Sequence, residues 1–227
     1  PDASAWLDGA AVLSSLAILL AAFALDFNIA RASLGLSRSG SHSVPLAWPS
    51  SGWLTYGVAK LLLIFGAVDF TGALSRAAKF LGFHVIVCDA REVFATAARF
   101  PAADEIVVDW PHRYLASIAD ELGPRDAICV LTHDNKFDVP ALLEAFTTQV
   151  GYIGALGSRR TAANRRDRLV EAGATDDSLM RLNAPIGLDL GGRSPEETAI
   201  SIGAEIIAHR NGRSAGSLRN TGGPIHR

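Results

Sequence analysis

From Lys60 to Arg210, short apolar runs alternate with segments of helical length, and no other feature constrains the fold as tightly. LLLIFG (61–66), FHVIVCDA (83–90), EIVVDW (105–110), AICVLTHD (127–134) and VGYIGAL (150–156) read as parallel strands. Strands covered on both faces carry continuous apolar runs of this kind. Between them, DFTGALSRAAKFLG (69–82) sets Phe70, Leu74, Ala77, Ala78 and Leu81 on one helical face, and Gly82 closes it. PHRYLASIADELG (111–123) opens on proline and ends on glycine, the usual asymmetry of a helix. PALLEAFTT (140–148), RRTAANRRDRLVEAG (159–173) and PEETAISIGAEIIAHR (195–210) supply further helices. The last is preceded by Ser194 as N-cap, with Glu197 completing a capping box. Strands alternating with helices predict an α/β fold built on a doubly wound parallel sheet.

Residues 1–57 read as a smaller, irregular N-terminal region, and residues 58–227 as the α/β domain. The stretch 35–57 is rich in Ser, Gly and Pro and lacks sustained periodicity. Residues 10–25, AAVLSSLAILLAAFAL, form the longest apolar run. It falls short of the roughly 20 residues a bilayer helix needs, and Asp2 and Asp8 precede it where a secretory signal is basic. A buried helix is expected there, with no membrane association.

A net charge of −2 and a pI near 6.3 remove the global electrostatic case for nucleic acid, leaving only local basic patches for an anion. Cys88 and Cys129 sit inside apolar runs and read as buried structural thiols. The sequence has no CxxC and no Cys/His cluster at metal spacing, so no metal ligands are assigned.

Three strand ends carry polar chemistry. After the first strand, IFGAVDFTG departs from the dinucleotide fingerprint G-x-G-x-x-G. Gly66 supplies the tight turn, but Val68 and Thr71 stand where the close-approach and packing glycines belong, and Asp69 adds negative charge. Asp89 ends the second run, where an acid can accept from a ribose hydroxyl. LTHDNKFDVP ends the fourth strand and places His133, Asp134 and Asp138 for proton transfer, polar contact or simple capping. GYIGALGSRR ends the fifth strand, and Gly157-Ser158 open a helix whose free N–H groups and dipole suit an anion. Arg159 and Arg160 add charge-assisted donors. Arg165, Arg166 and Arg168 are expected to face solvent.

LLLIFGAVDF, VCDAREVFATAARFPAADEIVVDWPHRYL, LTHDNKFDVPAL, YIGALGSRRTAANRRDRL and PIGLDLGGRSPEETAISIGAEIIAHR, taken in order, resemble the XdhC/CoxI family of xanthine dehydrogenase accessory proteins. The resemblance spans roughly residues 58–211. It implies a Rossmann-like C-terminal domain that binds molybdopterin cofactor as cargo, supports its sulfuration and delivers it to an apo molybdenum hydroxylase. A cytoplasmic setting is expected, with a sulfurtransferase as a candidate further partner and a homodimer left open.

On that resemblance the cofactor-binding candidates are Gly66, Asp89, Thr132, His133, Asp134, Gly154, Gly157, Ser158, Arg159 and Arg160. The anion at Gly157-Ser158-Arg159 becomes the pterin phosphate, or the diphosphate of a dinucleotide form. No catalytic residue is assigned, with His133 and Asp134 as candidates; a maturation chaperone is favoured over a stand-alone enzyme. Two departures stand out. Gly66-Ala67-Val68-Asp69 replaces the family's glycine-rich turn followed by His, and residues 1–57 lack the cysteine-bearing glycine-rich segment of longer members. An NAD(P)-dependent oxidoreductase and a non-catalytic docking scaffold remain the alternatives.

Overall fold

The computed structural model describes residues 60–225. The expected N-terminal boundary, and the apolar run at 10–25, lie outside the described residues. Six strands form one parallel sheet: β1 (Lys60–Phe65), β2 (Phe83–Cys88), β3 (Glu105–Val107), β4 (Ala127–Val130), β5 (Tyr152–Ala155) and β6 (Leu182–Asn183). Their order is β3-β2-β1-β4-β5-β6, with all pairings parallel. The doubly wound, Rossmann-like architecture expected from the alternation is therefore present.

The helices are α1 (Asp69–Phe80), α2 (Pro111–Ile118), α3 (Asn135–Thr147), α4 (Arg159–Glu171), α5 (Asp176–Met180) and α6 (Pro195–Arg210). A strand's side chains alternate between sheet faces, and each face here builds its own core. Leu62 and Ile64 of β1 join Val85, Val87, Cys129 and Tyr152 against Leu74 and Ala78 of α1 and Ile202 and Ile206 of α6. Leu61, Leu63 and Phe65 join Cys88, Ile128, Val130 and Ile153 against Leu115 of α2, Leu142 of α3 and Leu169 of α4. A fully buried side chain such as Leu63 contributes on the order of 2 kcal/mol. The two cysteines lie on opposite faces, both buried and free, so their structural role holds. Burial pushes both thiols up, away from reactivity.

Several boundaries differ from the sequence expectation. β2, β3 and β4 stop at Cys88, Val107 and Val130 because the ladder ends where the chains turn away to their helices. Single bonds from Asp89 N–H to the Val107 carbonyl (3.1 Å) and from Leu131 N–H to the Phe65 carbonyl (2.8 Å) finish it. α3 begins at Asn135 rather than Pro140, with Asp134 as its N-cap accepting from Lys136 N–H at 3.0 Å. Pro140 is carried inside the helix at the loss of one backbone bond, offset by burial of Phe137, Ala141 and Leu142. α5 and β6 are additions the apolar pattern did not mark. The capping box at the start of α6 is formed as expected, with Ser194 Oγ accepting from Glu197 N–H at 3.1 Å.

Between β1 and β4 the winding direction reverses, and a crevice opens there beyond the carboxyl ends of the strands. Among the described residues, no helix is long and apolar enough to cross a membrane.

Candidate functional site

A continuous line of polar contacts crosses the carboxyl ends of β2, β1, β4 and β5. It starts at Asp89, whose Oδ2 accepts from Ala67 N–H at 2.7 Å and whose Oδ1 accepts from Arg91 N–H at 2.9 Å. The Arg91 guanidinium adds bonds to both oxygens, at 2.9 and 2.7 Å. Burial of Asp89 opposes ionisation, but Arg91 and the two N–H donors win and hold its carboxyl below the ordinary aspartate value.

The turn after β1 meets the β4 loop at close quarters. Gly66 has φ +117°, and a β-carbon there would lie 2.6 Å from Thr132 Cγ2 and 2.9 Å from Thr132 N. The approach of another backbone thus accounts for the glycine there. Thr71, expected as a missing glycine, donates its hydroxyl to the Gly66 carbonyl at 2.5 Å and so braces the turn. Arg99 reaches in from the β2–β3 connection to the Ala67 carbonyl at 3.2 Å.

Thr132 is buried and donates its hydroxyl to Asp138 Oδ1. Asp138 Oδ2 in turn accepts from Arg165 Nε at 3.2 Å and Nη2 at 2.8 Å. This corrects the expectation that Arg165 faces solvent: Arg165 and Asp138 are each 1% exposed. A buried guanidinium needs a partner, and Asp138 supplies it from the preceding helix. Burial pushes the Asp138 carboxyl up to about 6, against the pull of Arg165 and with a further push from Asp134. Arg165 Nη2 also donates to the Leu156 carbonyl at 2.9 Å, which ties α4 to the end of β5.

Beyond Leu156, Gly157 (φ +154°) leads into Ser158, the N-cap of α4. Ser158 Oγ accepts from Thr161 N–H at 3.1 Å, whereas the first-turn amides of Arg159 and Arg160 have no intrahelical acceptor. Both arginine side chains are exposed, and Arg159 also lines a groove with Ala162, Arg166, Leu182 and Pro185.

The structure therefore brings Gly66, Asp89, Thr132, Gly157, Ser158 and the α4 amides to one sheet edge. His133 and Asp134 are exposed on the β4–α3 loop of the same edge. Gly154 does not join them. It lies within β5, where a β-carbon would overlap the Ile186 side chain and come 2.8 Å from the Tyr152 hydroxyl. Close packing against Ile186 accounts for the glycine there. Arg91, Arg99 and Arg165 were missed by the sequence reading. Only Arg91, two residues after an acid at a strand end, carried a local signal.

Residues 62–206 match the family model described as the XdhC Rossmann domain. Over 149 residues the chain is 37% identical to a probable xanthine dehydrogenase subunit of Bacillus subtilis (strain 168), covering 66% of this chain and 42% of that protein. It is 32% identical over 95 residues to the molybdenum cofactor insertion chaperone PaoD of Escherichia coli (strain K12), covering 42% of this chain and 30% of that one. A crystal structure described as a xanthine dehydrogenase from Bacillus halodurans superposes with a TM-score of 0.59 at 34% identity, over 70% of this chain and 45% of that one. The chain thus spans less than half the length of each of these relatives.

Proposed function

Because the chain belongs to the family of the XdhC Rossmann domain, we propose that its crevice holds molybdopterin, a phosphorylated pterin, as cargo and passes it to an apo molybdenum hydroxylase. The observation that carries this is the turn Leu156–Arg160. It presents unpaired helix amides and basic side chains at the carboxyl end of β5, one strand beyond the β1–β4 switch point, an arrangement suited to a phosphate rather than to a cation. The name of the relative PaoD, a molybdenum cofactor insertion chaperone, supports the choice of cargo. On this reading the chain is an accessory protein of a xanthine or carbon monoxide dehydrogenase type enzyme, working in the cytoplasm with a sulfurtransferase as a further partner.

Nicotinamide dinucleotide binding is the weaker reading. Both Asp89 oxygens are already engaged by Ala67 and Arg91, and Val68 puts a side chain where the diphosphate approaches. Fluorescence titration of the purified chain with molybdopterin tests the proposal. Binding is expected, and the double change Arg159→Ala, Arg160→Ala is expected to weaken it at least tenfold, about 1.4 kcal/mol. Absence of molybdopterin binding by the folded chain, with stabilisation by NAD(H) or NADP(H) instead, would overturn it. Capture of apo-hydroxylase by a chain that binds no pterin would instead favour a docking scaffold.

A further inference from the structure

Arg165 has a donor left over. Its Nε and Nη2 are taken by Asp138 and the Leu156 carbonyl, but Nη1 is buried and has no hydrogen-bond partner. A guanidinium so thoroughly buried rarely leaves a nitrogen unpaired, because the lost hydration is not replaced. Nη1 lies beside Gly157, where a β-carbon would come 3.7 Å from it, with Thr161 Cγ2 and Cβ nearer at 3.0 and 3.1 Å. Immediately beyond Gly157 are the first-turn amides of α4. Two sets of donors with separate structural origins, one a buried side chain and one a helix end, thus both border Gly157.

We propose that Arg165 Nη1 and the backbone N–H groups of Arg159 and Arg160 form a phosphate-binding site over Gly157, whose ligand is a phosphate monoester or diphosphate group. The reading of the crevice as a molybdopterin site supplies only the larger molecule to which that phosphate belongs. The converging groups are all donors. Asp138, the acid nearest them, has its two oxygens bonded to Thr132 and Arg165. Donors approaching from a helix end and from below fit a tetrahedral oxyanion better than a planar carboxylate. Asp138 acts as a positioning residue: it holds Nε and Nη2 so that Nη1 remains aimed at Gly157. The outer arginines Arg159 and Arg160 are exposed and steer the anion, whereas Arg165 is fixed in place before it arrives.

Equilibrium dialysis with labelled inorganic phosphate and diphosphate, on the full chain, tests the site. Arg165→Lys keeps a cation opposite Asp138 but removes the guanidinium fork, and it is expected to weaken binding of both probes at least tenfold. Gly157→Ala leaves Arg165 intact and adds a methyl group 3.7 Å from Nη1 and 3.0 Å from Thr161 Cγ2; the same loss is expected, and this variant, if folded, decides the matter where Arg165→Lys fails to fold. Failure of the unaltered chain to bind either probe, or unchanged affinity in the folded variants, overturns the proposal. Molybdopterin titration of the same proteins separates the two readings. Phosphate binding that depends on Arg165, in a chain that ignores molybdopterin, sustains this site and removes the pterin cargo. Molybdopterin bound equally by the unaltered chain and by Arg165→Lys does the reverse.

Discussion

Asp89 follows β2 and Asp138 lies in the first turn of α3, both at the carboxyl end of the sheet, yet their protonation equilibria are displaced in opposite directions. Asp89, despite its burial, is held ionised by Arg91 and two N–H donors, so its stabilising contribution is complete above about pH 4 and is lost as the pH falls below that. For Asp138 burial dominates and raises the carboxyl to about 6. The folded state therefore binds its proton more tightly than the unfolded chain, and its contribution declines as the pH rises from about 4 through 6. Urea unfolding between pH 3 and pH 7 is expected to show this sign change. Relative to Asp138→Asn, the unaltered chain loses stability on going from pH 4 to pH 7; relative to Asp89→Asn, it loses stability below pH 4. Pairs of curves that stay parallel would contradict both assignments. The burial of Asp138 and Arg165 was not legible beforehand. Arg165 stands in a run of polar and basic residues that reads as a solvated helix face, and its partner lies on a different helix. Long-range pairing of this kind leaves no trace in local periodicity.

At the level of elements, the sequence spelled out which segments are strands and which are helices, because burial on both faces writes continuous apolar runs. It was less informative about where they end. The expected second and fourth strands run on into the loops, since Asp89, Leu131 and Thr132 are buried like strand residues though they have left the ladder. A start of α3 at Pro140 comes too late because proline suggests a first turn, whereas Asp134 caps the helix well before it. The β1–α1 turn shows how tightly these ends are fitted. Gly66→Ala would bring a β-carbon against Thr132 with φ at +117°, and a loss of about 1–3 kcal/mol is expected in urea unfolding. A variant as stable as the unaltered chain would mean that the β4 loop yields freely, and the crevice would then not be preformed.

Across the described molecule, the packed sheet fixes the crevice and the loops supply its chemistry. Resemblance at the sequence level pointed to the same family as the match over residues 62–206, because the strand-end blocks that carry the likeness are also the loops of the crevice. Of the candidate residues, the α4 turn carries the proposed anion contact, Gly66 and Gly154 are packed against Thr132 and Ile186, and the buried donor, Arg165, came from the structure alone. The most direct measurement of the central claim is the identity of the small molecule that travels with the protein. Protein purified natively from cells that make molybdopterin, then denatured and oxidised, is expected to release a fluorescent phosphorylated pterin in near-stoichiometric amount. Release of a nicotinamide dinucleotide and no pterin from the folded, natively purified protein would contradict it.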